Sequence, residues 1–299
     1  GPDDFRLSDL GPDGDANYWA WTPDVAYNNV TGEYLVVWAG DDNTGSLVDN
    51  EFEVYGQRFE ATTGAQIGVD LRLSDMGPDG DAAYAGSNPA VTYNPHDNEY
   101  LVVWNGYDNA PQLVDGGNEI FGQRLDGATA TEIGANDFRL SDMGPDGDPS
   151  YAGYMPDVVY KGDVNEYLVV WSGDDNTAPL VDGENEIFGQ RIDAATGVEI
   201  GDNDFRLSDM GPDGDPSYDA EHPELAYRAQ GNEVLAIWKG DDNTPPLVLA
   251  EVEIFSQRYR PSALDLRFYL PVVVRGDGSF VQAGFAGGPE SPLADDDLV

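Results

Sequence analysis

Apolar and polar residues alternate along this chain in short runs of five to seven, with no stretch showing the 3.6-residue period of an amphipathic helix. The runs are rich in Val, Ile, Phe, Tyr and Trp and are separated by Asn, Asp and Gly, a pattern of strands joined by turns. One set reads Pro156-Asp157-Val158-Val159-Tyr160, then Glu166-Tyr167-Leu168-Val169-Val170-Trp171, then Glu186 to Ile192, then Asp204-Phe205-Arg206-Leu207-Ser208. The same set recurs every 66–67 residues from residue 4 to about 260. Four short antiparallel strands per repeat make the blade of a β-propeller. The expected fold is therefore all-β: a four-bladed β-propeller over 1–260, with repeats at about 4–70, 71–137, 138–204 and 205–260. The opening run Asp4-Phe5-Arg6-Leu7-Ser8 matches a fourth strand and is expected to close the ring by completing the last blade.

After Arg260-Pro261 the repeat gives way to an extended tail, 261–299. Its alternation places Leu264, Leu266, Phe268, Leu270, Val272 and Val274 on one strand face, which needs a partner surface. Docking on the same body or strand donation to a second copy would each supply it.

Each repeat carries two acid-rich loops that an up-and-down blade places on one rim. The first is Asp9, Asp13 and Asp15, with copies at Asp75, Asp79 and Asp81, at Asp142, Asp146 and Asp148, and at Asp209, Asp213 and Asp215. The second joins strands two and three and contains Asp42, Asp108, Asp175 and Asp242. Close carboxylates repel unless a cation neutralises them, and Asp with interleaved Gly is a ligand set suited to Ca2+. Calcium, one ion per repeat, is the expected cofactor; the alternative is a solvated turn whose aspartates cap backbone amides. Tyr18, Tyr84, Tyr151 and Tyr218 follow the first loop, joined in the first repeat by Trp19 and Trp21. These aromatics either bind a glycan beside the metal or pack against the loop. Trp38, Trp104, Trp171 and Trp238 share one position and are expected to fill the space between blades. Arg58, Arg124, Arg191 and Arg258 share another and are expected to fork onto a buried acid such as Asp24 or Asp157.

Tyr55-Gly56-Gln57-Arg58-Phe59 and Ile187-Phe188-Gly189-Gln190-Arg191-Ile192-Asp193, each leading through a Thr-Gly turn to a strand like Phe205-Arg206-Leu207-Ser208, resemble propeller-type repeats of secreted bacterial proteins. The resemblance spans all four copies and implies an extracellular or cell-surface setting, without a reaction. The long insert between strands two and three and the Gly-Pro-Asp-Gly-Asp loop depart from it.

Composition narrows the partners. The 57 acids against 14 bases give a formal charge of −43, which disfavours nucleic acid and anionic lipid. Membrane insertion is not expected, since no run is long and apolar enough to span. Cysteine is absent and the two histidines, His96 and His222, stand at non-equivalent positions, so neither a nucleophilic triad nor zinc is supported. Acids repeated in every sector read as structural. The sequence thus points away from an enzyme, toward a calcium-stabilised surface or filament subunit that assembles with itself. The alternative is a lectin-like glycan- or protein-binding module on the acidic rim.

Overall fold

The computed structural model describes residues 4–42, 45–108, 117–145, 148–242, 245–248, 251–260, 272–274 and 280–282. Among them there is no helix, and so none long and apolar enough to cross a membrane. Four antiparallel sheets form a four-bladed β-propeller. Blade 1 is β1 (Trp19–Asn28), β2 (Glu33–Asp41), β3 (Phe52–Glu60) and β4 (Gln66–Arg72). Blade 2 is β5 (Ala85–Asn94), β6 (Glu99–Tyr107), β7 (Glu119–Asp126) and β8 (Glu132–Arg139). Blade 3 is β9 (Ala152–Lys161), β10 (Glu166–Asp174), β11 (Asn185–Asp193) and β12 (Glu199–Arg206). Blade 4 has β13 (Asp219–Arg228), β14 (Glu233–Asp241) and β15 (Val252–Tyr259). A short hairpin, β16 (Val272–Val274) with β17 (Phe280–Gln282), lies beside β15.

Strand order follows chain order in every blade, so each hairpin turn connects nearest neighbours. The first strands sit innermost, with β1 against β5, β5 against β9 and β9 against β13. Side chains on β2 alternate faces, and the alternation is what joins the blades. Leu35, Val37 and Val54 leave blade 1 on one side and meet Tyr100, Val102, Trp104 and Phe121 of blade 2. The same interlock repeats between blades 2 and 3 and between blades 3 and 4. The tryptophans fill the inter-blade space as expected, and the indole N–H of Trp104 and of Trp171 points at the sulfur of Met76 and Met143, 3.4 Å away. An arginine stitches adjacent blades: Arg124 of blade 2 forks onto Glu99 at 2.8–3.2 Å and reaches the Ala195 carbonyl of blade 3 at 3.2 Å. Arg58, Arg191 and Arg258 take Glu33, Glu166 and Glu233 in the same way. The expected partners Asp24 and Asp157 are therefore corrected; the glutamate at the start of the paired strand is nearer, and those aspartates are held by backbone amides.

Closure also differs from expectation. Residues 4–10 form no strand and do not pair with β15. Leu7 and Leu10 instead pack on Val36, Trp38, Tyr55 and Phe59 of blade 1, the seat that Leu73 and Met76 take on blade 2. Apolar burial on the nearest blade holds the segment there. Of the expected tail face, Leu264, Leu266, Phe268 and Leu270 lie outside the described residues, and Val272 and Val274 fall in β16.

Candidate functional site

The two acidic loops do share one rim. Backbone N–H of Gly80 donates to Glu51 at 3.0 Å, and that of Gly214 to Glu184 at 2.9 Å, joining the second loop of one blade to the first loop of the next. The chain itself supplies a cation to the first loop. Arg72 bridges Asp75 and Asp79, the latter at 2.8 Å, and Arg206 bridges Asp209 at 2.9 Å and Asp213 at 2.6 Å. Arg6 does the same for Asp9 and Asp13, and Arg139 reaches Asp142. The third acid caps a turn: Asp15, Asp81, Asp148 and Asp215 each accept a backbone N–H two residues on, at 3.1 Å. Asp146 lies outside the described residues. These arginines recur three residues before the first acid, a signal the strand pattern conceals.

Beneath three of the four bridged loops lies a buried glutamate that sequence reasoning missed. Glu53 accepts the Ser74 hydroxyl and the Met76 N–H at 3.1 Å, with Arg72 at 3.8 Å. Glu119 and Glu186 repeat the clasp with Ser141 and Arg139, and with Ser208 and Arg206. Burial pushes Glu53 up to about 8 and Glu119 to about 7 despite these donors. Glu184, Glu186 and Asp213 bring three carboxylate oxygens within 4.8 Å of one another, but Arg206 already pairs with two of them.

The tyrosines shape the loop. Gly77, at φ +68°, lies so close to the Tyr84 ring that a Cβ there would fall 2.3 Å from it, and Gly11, Gly144 and Gly211 face Tyr18, Tyr151 and Tyr218 as tightly. One face of each ring is thus covered by backbone. Trp19 and Trp21 differ: they stack at 4.5 Å with Phe52 set edge-on to both, and Trp19 is exposed. No other blade has this cluster, because Ala85 and Ser87, Ala152 and Tyr154, and Asp219 and Glu221 stand in those places.

The second loop holds acids without an arginine bridge among the described residues. Asp41 is fully buried; its Oδ2 accepts the Asn50 N–H at 2.9 Å, and its Oδ1 has no donor among the described residues. Burial, then the charges of Asp49, Asp42 and Glu51, raise its pKa. Asp42 faces this group, Asp175 caps the Thr177 N–H at 2.9 Å, and Asp108 and Asp242 hold the equivalent rim positions.

The innermost strands carry a different set, and it is asymmetric. Each has a bulge where its register shifts, after Trp21, Ser87, Tyr154 and Glu221. The residue at each bulge adopts positive φ: Thr22 (47°), Asn88 (50°), Met155 (50°) and His222 (53°). Such backbone is strained for a residue with a Cβ, and bulges of this kind re-aim the side chains that follow. Two residues on stand Asp24, Ala90, Asp157 and Glu224. Asp24 accepts the Val91 and Val25 N–H groups at 2.7 Å. Asp157 accepts Val158 N–H at 2.8 Å and Leu225 N–H at 2.5 Å, so its carboxyl sits beside the residue that follows Glu224. Burial pushes Asp157 up to about 7, with Glu224 and Asp24 adding to the rise, and burial also raises Asp24. Glu224 itself is exposed. A carboxyl able to hold its proton near neutrality thus adjoins an open carboxylate on the next strand, the pairing that general acid–base chemistry needs.

No protein-family model and no curated protein matches the chain. Solved structures do. A Hadza microbial sialidase aligns at TM-score 0.51 and 10% identity, over 80% of this chain and 44% of that one. A Trypanosoma rangeli sialidase, solved with the inhibitor DANA, aligns at 0.50 and 8%, over 80% of this chain and 36% of that one. An endo-1,5-alpha-L-arabinanase from Thermotoga petrophila RKU-1 aligns at 0.47 and 16%, over 91% and 61%. The chain therefore spans less than two thirds of each of these three enzymes. At these identities the likeness is one of fold. With two sialidases among the structures of this shape, the expected non-enzymatic surface or filament subunit is corrected, and so is its lectin-like alternative. The inference from repeated acids failed because it weighed the rim, where the sectors are alike, and not the innermost strands, where they differ.

Proposed function

We propose that the chain is a glycan-processing enzyme that cleaves a glycosidic bond at the innermost strands. The observation that carries this reading is the asymmetric carboxyl set: Asp157, protonated near neutral pH, beside the exposed Glu224, with Asp24 on the opposite blade. Asp157 would protonate the leaving oxygen, and Glu224 would act as base or nucleophile. The two N–H bonds to Asp157 fix its orientation and leave lone-pair capacity on each oxygen. Trp19, Trp21 and Phe52 offer an aromatic platform for a sugar ring at one end of the site. The two sialidases among the structural neighbours support the substrate class, and an extracellular setting fits it. The test is release of the chromophore from 4-nitrophenyl arabinofuranoside and 4-methylumbelliferyl sialoside. Turnover by the wild type that Asp157→Asn with Glu224→Gln abolishes supports the reading, and absence of turnover on aryl glycosides counts against it.

Calcium is proposed at the second loop of blade 1, where the buried Asp41 carries an unshared oxygen and feels the charges of Asp49 and Asp42. Saturating calcium is expected to raise the melting temperature relative to chelator in the wild type and not in Asp41→Asn. Equal melts in calcium and chelator would remove the proposal.

A further inference from the structure

Charge on the innermost strands and aromatic surface at the rim end of blade 1 bear on which glycan the site takes. Strands β1, β5, β9 and β13 contain five acids, Asp24, Asp157, Asp219, Glu221 and Glu224. Their one lysine and one arginine, Lys161 and Arg228, end β9 and β13 and pair with Glu166 at 3.1 Å and Glu233 at 3.6 Å. Lys239 stands opposite Glu221 in the register of β13 with β14 and takes that carboxylate at 2.7 Å. Every other arginine among the described residues is likewise paired with a carboxylate. His222, two residues before Glu224, is one imidazole against five acids. A carboxylated sugar would therefore enter a negative field in which the described cations are already committed, and like charges at close range repel. A neutral sugar meets the opposite situation: its hydroxyl groups donate, and ionised carboxylates accept. The fold shared with two sialidases leaves this choice open.

Trp19, Trp21 and Phe52 supply the apolar half of such a site. Trp19 is 50% exposed and stacks on Trp21 at 4.5 Å, while Phe52 stands edge-on to the two rings at 5.5 and 4.6 Å. Trp19 and Phe52 flank Asp41 in the sheet register, which puts the group at the acidic-rim end of β1. Trp21 and Trp19 precede Asp24 by three and five residues, which is about 10 and 16 Å at the usual strand rise. Asp24 in turn is near enough to Asp157 for its charge to be felt there. One sugar ring does not reach from Trp19 to the carboxyls, so a ring on the platform is not the ring being cleaved. We infer that the substrate is an uncharged oligosaccharide or polysaccharide chain, gripped on Trp19 and Trp21 one or more rings away from the bond that Asp157 and Glu224 cleave. The inference rests on the glycosidase reading above and narrows it.

Two measurements on the full chain test it. The first is release of reducing ends by the wild type from soluble arabinan, xylan and mixed-linkage glucan, against polygalacturonate and polysialic acid. At least one neutral polymer should turn over about tenfold or more faster than either anionic one. Equal or faster turnover of an anionic polymer overturns the inference and leaves the glycosidase reading in place. The second is affinity electrophoresis of Asp157→Asn with Glu224→Gln in gels cast with the preferred neutral polymer, which reads grip without cleavage. Adding Trp19→Ala and Trp21→Ala should raise the apparent Kd at least about tenfold. Trp19→Phe with Trp21→Phe, which keeps two aromatic faces, should retain most of the retardation and so separates stacking from misfolding. Retardation unchanged by the alanines overturns the inference. So does a wild type that cleaves aryl monosides but none of the polymers. A wild type that cleaves neither takes down the glycosidase reading and the inference together.

Discussion

Replacing Glu119 by alanine is expected to lower stability by about 3 kcal/mol, read as a fall in denaturation midpoint at constant slope. The substitution strips the acceptor from the Ser141 hydroxyl and the Met143 N–H and removes a partner of Arg139, all where blade 2 meets the loop into blade 3. Glu119→Gln keeps an acceptor and should cost far less. The same clasp sets a pH dependence. Glu119 and Glu53 hold their protons to about 7 and about 8 in the fold, well above the ordinary carboxylate value of 4.5. Between those limits the folded chain binds protons that the unfolded chain has released, so stability falls as pH rises through the window. Asp79 acts oppositely. The Ser46 hydroxyl and Arg72 lower its pKa, so its contribution is present above the ordinary value and lost as pH falls through the lowered one. The melting temperature should therefore peak at about the ordinary carboxylate values and decline toward pH 8. In the Glu53→Gln, Glu119→Gln double variant that decline should flatten.

The second large effect falls on the innermost strands. Glu224→Gln should lower kcat by about 10² to 10⁴, with little change in the melt, because Glu224 is exposed and its neighbour Leu225 keeps its N–H bond to Asp157. Asp157→Asn should be selective in a way that a structural residue would not be. A general acid matters most when the departing alkoxide is a strong base, so an alkyl glycoside should lose far more rate than a nitrophenyl glycoside. The amide can still accept one of the two backbone N–H bonds, which limits the structural damage.

Much of the fold was legible in the chain because a propeller blade is a local object. Strands such as Glu166–Asp174 pair with their sequence neighbours, so alternation and turn residues suffice to place them. The tryptophan positions were legible for the same reason. What joins blades was harder to read. Arg124 meets Glu99, not an aspartate, because the cross-strand register of β6 and β7 brings those side chains together. The seat of residues 4–10 on blade 1 depends on apolar packing between repeats that no single repeat displays. In the site, repetition misled. Sixteen rim aspartates attracted the chemistry, yet Arg6, Arg72, Arg139 and Arg206 reach first-loop acids in every sector, and the third acid of each loop caps a turn. Asp24, Asp157 and Glu224 were visible as residues, but only the bulges at Thr22, Met155 and His222 and the contact between neighbouring strands give them a shared location.

The measurement that tests the central claim most directly is the pH dependence of kcat/KM on an aryl glycoside that the wild type turns over, compared with Asp157→Asn. With Asp157 holding its proton to about 7, the wild-type rate should fall above that pH, and the variant should lose this limb while keeping residual turnover of the best leaving group. A falling limb unchanged in Asp157→Asn would contradict the assignment of the acid.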